Sequence, residues 1–327
     1  MNPYFGLTFP EVILTFFQRL FFLLTGQLSL NQLASDDIQI LVLMAVATSG
    51  ALVGCYLILR GMTMLANALS HTILLGIVFV YVMTRNGVFE HGGGIDIQGM
   101  LIAALVMGLV TTFLTQFLTR VVKLQEDAST GLVFTTLFAI GVISVTVLTR
   151  SAHVGIEIVM GNVDALHFDD LKLVAIILLL NIVLVAVFFK EYLITTFDPG
   201  LAKALGFSVI FFDYLLMTQV SVTAIGAFRA VGVLMVLAFI TGPPLTARLL
   251  TDKLKEMIMI AVVLGCSAAI IGVAFSRHLL TVADLPMSTG GLVVCVILVM
   301  YVATMVYAFW KQRKFLKKQH KQAYASS

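Results

Sequence analysis

Long apolar stretches separated by short polar ones recur along nearly the whole chain. Nine of them approach the roughly 20 residues a helix needs to cross a bilayer: 38–59, 62–83, 100–118, 131–148, 173–189, 207–228, 230–245, 257–275 and 290–310. Only helices and closed barrels satisfy every backbone group in lipid, and runs of this length predict helices. The fifth and seventh are short. The seventh ends in Gly242-Pro243-Pro244, which is expected to break or kink its helix, because proline lacks the N–H and crowds the preceding turn. The pattern predicts an all-α, polytopic membrane protein of about nine spans.

Residues 7–30 behave differently. Pro10, Glu11 and Arg19 interrupt the apolar run, and Glu11, Thr15, Gln18 and Arg19 fall on one helical stripe. An amphipathic helix lying in the membrane interface is expected there, rather than a span. The segment has no basic leader and no small-x-small site, so a cleaved signal peptide is not expected. The chain divides into an amphipathic segment at 1–37, a transmembrane body at 38–310 and a basic tail at 311–327.

Composition sharpens this picture. Of the 327 residues, 60% are apolar and only 11% are charged, less than half the share usual in soluble proteins. A soluble enzyme, a disordered chain and a disulfide scaffold are thereby excluded. Cys55, Cys266 and Cys295 sit inside apolar runs and make no paired framework. The net charge of +3 is too small to point to nucleic acid.

The placement of charge gives an orientation. The tail carries Lys311, Arg313, Lys314, Lys317, Lys318 and Lys321 without an acid, so the positive-inside rule puts it in the cytoplasm. Counting back through nine spans places Arg60, Arg120, Lys123, Lys190, Lys203, Arg248, Lys253 and Lys255 on the same side. Arg19, Arg85, Arg150, Lys172, Arg229 and Arg277 fall outside. The outer segments also hold Glu11, Asp36, Asp37, Asp164, Asp169, Asp170 and Asp284. Such a face could draw cations, or it could be the ordinary sidedness of a membrane protein.

No GxxxxGK[ST] motif occurs, so the chain has no P-loop with which to hydrolyse ATP. HExxH and nucleophile-elbow motifs are absent, and no helix carries arginines at three-residue spacing. Function must therefore be sought among polar residues inside the apolar runs. Asn67 and His71 stand out in the second run. Their i, i+4 spacing puts both on one helical face. Counted from Arg60, His71 lies about 16 Å along a helix, near the bilayer midplane. A neutral imidazole with an amide oxygen beside it suits a borderline transition metal; interhelical packing is the other reading. Asp213 could reach the cytoplasmic interface, and Asn181 could bond a neighbouring helix. His153, Glu157, Asp164 and His167 crowd one outer segment, and Glu90 with His91 sits on a glycine-rich loop.

Between the fifth and sixth runs, Asp198 is a good N-cap, Pro199 a good first helical residue and Gly206 a good stop. A short helix of about two turns is expected on the cytoplasmic side, either as a dock for a soluble partner or as a connector.

Several segments resemble one family in order along residues 38–310. They are Arg60-Gly-Met-Thr-Met-Leu-Ala-Asn67-Ala-Leu-Ser70-His71, Asp198-Pro-Gly-Leu-Ala202-Lys-Ala-Leu-Gly206, Val231-Gly232 through Pro243-Pro244-Leu-Thr-Ala247, and Asp284-Leu-Pro286-Met-Ser-Thr-Gly290. The chain is similar to the membrane permeases of ATP-binding-cassette importers for manganese, zinc or iron. The resemblance implies a non-enzymatic subunit of the bacterial plasma membrane. It implies two cytoplasmic ATPase subunits, a second permease and an extracytoplasmic metal-binding protein as partners. The divalent metal is cargo, moved into the cytoplasm by alternating access, and no permanently bound cofactor is implied.

The resemblance also assigns residues. Asp198, Ala202 and Gly206 would couple to the ATPase. The family's aspartate and histidine that line the metal path fall on Asn67 and His71. Asn67 keeps an oxygen but loses the charge, which favours a non-identical second permease that retains the acid. The alternative is a secondary, ion-coupled metal transporter, which would need no ATPase. A membrane-embedded enzyme is a further rival, and it would need a convergent set of catalytic residues beyond Asn67 and His71.

Overall fold

A computed structural model describes residues 3–4, 6–28, 32–85, 97–144, 146–147, 163–282 and 284–325. Twelve α-helices account for most of them, and no strand occurs among the described residues. In chain order they are α1 (Phe9–Leu24), α2 (Ser35–Leu59), α3 (Thr63–Arg85), α4 (Ile97–Arg120), α5 (Glu126–Ser144) and α6 (Phe168–Val187). There follow α7 (Phe189–Phe197), α8 (Pro199–Ala204), α9 (Val209–Val231), α10 (Val233–Arg248), α11 (Leu254–Val282) and α12 (Thr289–Ala325).

Among the described residues each of the nine apolar runs lies mainly on one helix, although 173–189 passes the α6–α7 break at Phe188 and 230–245 passes the α9–α10 break at Gly232. Six of these helices are long and apolar enough to cross a bilayer, and α10 and the 105–120 part of α4 are shorter apolar segments. This is an all-α, multi-pass membrane protein. The count of nine spans stands as an approximation.

Helix α2 is the axis of the bundle. It is apolar on every face and packs against α6, α9, α10 and α11, as a helix buried on all sides must be. Helices α3, α4 and α5 form a second group that joins the rest mainly through α9, with lesser contacts of α3 to α10 and α2. Helix α12 packs on α10 and α11 with little of its surface covered.

The two prolines of α10 do not end it: the helix continues through Pro243 and Pro244 to Arg248. At this turn α2 presents Gly50 and Gly54, and backbone approaches backbone there. A Cβ on Gly54 would stand 2.0 Å from the Ile240 carbonyl oxygen. Small residues four apart allow such contact between membrane helices.

Several polar residues inside the bundle are paired across helices. Asn181 on α6 donates to Ser49 on α2 and, at 2.7 Å, to Thr223 on α9. Gln219 accepts from the Tyr192 hydroxyl at 3.1 Å. Thr111 donates to Thr72 at 3.0 Å, and Thr112 meets Ser221 at 3.2 Å.

The acidic end of the bundle is less open to cations than its sequence suggests, because several acids are already engaged. Asp36 is 1% exposed and Asp37 2% exposed. Asp36 pairs with Arg277 on α11. Asp37 accepts from the Tyr4 hydroxyl, from the Ala34 N–H and from Arg19 on α1. Asp164 accepts from Gln39 and Thr289, and Asp170 from the His167 N–H. Burial and the neighbouring Asp37 push the Tyr4 phenol well above its usual range.

These contacts, with Val12 and Phe16 buried below them, fasten α1 to the bundle, while Leu14, Phe17 and Phe21 remain exposed. Removing one partner of a buried ion pair costs about 3 kcal/mol or more. Asp37→Ala is therefore expected to release α1. Limited proteolysis should cut near Gly26 while the rest of the bundle stays protected.

Candidate functional site

The helix carrying Asn67 and His71 begins at a sharp turn. Helix α2 ends at Leu59, Gly61 takes φ +76°, and the N–H groups of Gly61 and Met62 donate back to Ile58 and Leu57. That pair of hydrogen bonds is a Schellman closure, which needs a residue free to adopt the left-handed conformation. Helix α3 then starts at Thr63. The expected 16 Å path from Arg60 is thus not continuous helix. The helical rise from Thr63 to His71 is about 12 Å.

Asn67 and His71 do share a face of α3. Asn67 is exposed at the bundle surface and His71 is half-buried. The imidazole sits against two rings of α5, with centroids 5.1 Å from Phe134 and 5.4 Å from Phe138. Among the described residues, no group of three or more histidine, cysteine, aspartate or glutamate side chains comes together. The two candidates therefore supply two donor atoms on an exposed face, not a closed metal cage. His167 is the N-cap of α6, and its N–H donates to the Asp170 carboxylate at 3.0 Å. Glu90, His91, His153 and Glu157 lie outside the described residues.

The short helix expected after residue 197 is α8. The Asp198 side chain accepts from the Leu201 N–H at 2.9 Å, and Pro199 takes the first turn. Gly206 closes the other end at φ +85°. Its N–H donates to Lys203 at 3.0 Å, and that of Phe207 to Ala202 at 2.9 Å, a second Schellman closure. Ala202 points inward and is fully buried. It is therefore a packing residue of α8, not part of its outer surface. That surface belongs to residues sequence reasoning passed over: Leu201 is 48% exposed and Leu205 55% exposed. Their i, i+4 spacing on a capped helix outside the apolar runs was the available signal.

Helix α7, also not expected, leads into α8, with Asp198 as the C-cap of one and N-cap of the other. Behind them Asp213, 8% exposed, pairs with both Arg60 and Arg120. Asp213 thus does more than reach an interface. A cavity of about 530 Å³ adjoins this junction, lined among others by Met62, Thr119, Pro199 and Lys203.

A model of the ABC 3 transport family matches residues 38–308. The chain belongs to that family. It is a metal ABC transporter permease, as the motifs around Asn67 and Asp198 had suggested. This permease is 40% identical over 319 residues, 98% of each chain, to a Chlamydia trachomatis protein named "Probable metal transport system membrane protein". It is 38% identical over 247 residues, 72% of this chain and 81% of the other, to the Bacillus subtilis "Manganese transport system membrane protein MntD". Among solved structures, the permease resembles "PsaBC from Streptococcus pneumoniae in complex with Fab". The TM-score is 0.67 and the identity 25%, over 84% of this chain and 92% of that one.

Proposed function

We propose that this permease forms the membrane path of an ATP-driven importer for a divalent transition metal. Manganese is the first choice, because several relatives are named as manganese transport proteins; zinc and iron are compatible with the same donors. Asn67 and His71 contribute one amide oxygen and one imidazole nitrogen. A second permease, facing the exposed side of α3, contributes the remaining ligands, including an acid that this chain lacks. A binding protein delivers the metal at the end holding Asp36, Asp164 and Asp284. The opposite end, with Arg60, Arg120, Lys203 and the basic tail, faces the cytoplasm of a bacterial cell. Residues 9–24 lie in the interface, and about 24 Å of helix is short for a span.

The observation that carries this reading is α8. A helix capped at both ends, with Leu201 and Leu205 turned outward, is a rigid apolar knob that a soluble ATPase subunit can grip. ATP hydrolysis resides on that partner, and its closure drives alternating access. Asp198 and Gly206 fix the shape of the knob and Ala202 seats it.

The test is the double variant Leu201→Asp/Leu205→Asp in the assembled importer. Interface anchors are worth about 2 kcal/mol each, so ATPase affinity is expected to fall on the order of 10³-fold. Mn²⁺ uptake should vanish with it, and the melting temperature should hold, because both side chains are exposed. Intact assembly and uptake in this variant would retire α8 as the docking element and favour an ion-coupled transporter.

A further inference from the structure

We infer that Asp213 is a positioning residue that carries the movement of α8 to the helix lining the metal path. The inference rests on the docking reading of α8. Its basis is a junction at which four chain segments meet on charged and hydroxyl groups.

Asp213 lies in the second turn of α9. One carboxylate oxygen takes Arg60 and the other takes Arg120. Arg60 is the C-cap of α2, immediately before the Gly61 turn from which α3 departs. The same guanidinium donates to Thr195 at 2.9 Å and to Thr196 at 3.0 Å. Both threonines sit in the last turn of α7, and Asp198, which starts α8, follows directly. Arg120 is the last residue of α4, which packs against α3. The docking helix is therefore joined to α3 by two routes. One runs through Arg60 and the Gly61 turn, the other through Asp213, Arg120 and α4.

Physical chemistry favours transmission over breakage at this point. Arg60 has a side chain 7% exposed and Asp213 one 11% exposed. Separating them would strand charge away from water, so the pair moves as a unit. The adjoining cavity of about 530 Å³ reaches Pro199 and Lys203 on α8, and gives that helix room to shift without displacing packed side chains. A planar guanidinium, fixed at Nε, Nη1 and Nη2, holds direction as well as distance.

The test uses the complete importer, with its ATPase subunits and binding protein, in lipid vesicles. It reads Mn²⁺ transported per ATP hydrolysed. Asp213→Asn removes the charge from the junction. Thr195→Val/Thr196→Val cuts only the link to α7 and leaves the buried ions paired, so it reports even where the aspartate variant fails to insert. Both are expected to keep the ATPase bound and hydrolysing while Mn²⁺ per ATP falls about 5- to 150-fold, the range of an allosteric coupling. Asp213→Glu should recover most of the ratio.

An unchanged ratio in the threonine variant would overturn the inference. So would uptake and hydrolysis falling together at constant ratio, the mark of an anchor that serves stability alone. Failure of the docking reading is distinguishable: it appears in the leucine variant as retained assembly, whereas the ratio is measured only in complexes already assembled.

Discussion

Gly54→Ala is expected to be among the most damaging single substitutions in this protein, although it adds only one methyl group. The new Cβ would lie 2.0 Å from the Ile240 carbonyl oxygen, 3.0 Å from its carbon and 3.1 Å from Pro244 Cγ. None of these is the movable end of a flexible side chain. Pro244 cannot supply the N–H that the Ile240 carbonyl would receive in an uninterrupted helix. The turn of α10 is built around that oxygen's approach to α2. Helix α2 is in turn packed on four neighbours, so neither side can retreat without opening the centre of the bundle. Overpacking of this kind costs roughly 3 kcal/mol where backbone must yield. Thermal melting of purified protein should show a large fall. Gly131→Ala in α5 is the matched control. Nothing lies within 4 Å of the place its added methyl would take, and alanine is favoured over glycine in a helix by up to about 1 kcal/mol. It should leave melting unchanged or raised. Equal melting of the two variants would show that α10 can move away from α2.

The same turn shows where sequence reasoning reached its limit. The apolar runs could be read because bilayer thickness imposes a length, and each run lies mainly on one helix among the described residues. Gly242-Pro243-Pro244 suggested a break because proline's cost is local. What packs against that turn lies on a different helix, at Gly50 and Gly54, nearly 200 residues earlier in the chain. Helix α7 escaped notice because Phe188, where the backbone turns at φ −101° and ψ 24°, carries no glycine or proline to mark it. Arg60 and Arg120 each followed a separate run and Asp213 sat seven residues into a third, and nothing in their spacing joins them. Asp36 and Asp37 looked like free outer charge until Arg277 and Arg19 arrived from α11 and α1. By contrast, Asn67 with His71, and Asp198 with Gly206, were legible because their geometry is helical and local. In this fold, what is set within a turn or two could be read from the chain, and what depends on a partner helix could not.

His71→Phe is expected to stop metal uptake while leaving the fold intact. The imidazole stands against Phe134 and Phe138, with ring centroids 5.1 Å and 5.4 Å away. A phenyl ring can take the same place between them but offers no nitrogen to a metal. Even groups that only support a metal ligand are worth 10- to 100-fold in affinity, so loss of the ligand itself should cost Mn²⁺ uptake at least roughly that much. His71→Ala should lose uptake too, and should also melt lower because its two aromatic contacts go with the ring. Asn67→Asp, one turn earlier on the same face, adds a formal charge beside the proposed imidazole ligand. Tighter Mn²⁺ binding is expected there, with turnover slowed if the ion is held too firmly to leave. The informative comparison is uptake against melting temperature across the three variants. A ligand at 71 predicts that phenylalanine keeps stability and loses transport. A purely packing histidine predicts the reverse for alanine, which would melt early yet transport at the native rate per folded molecule.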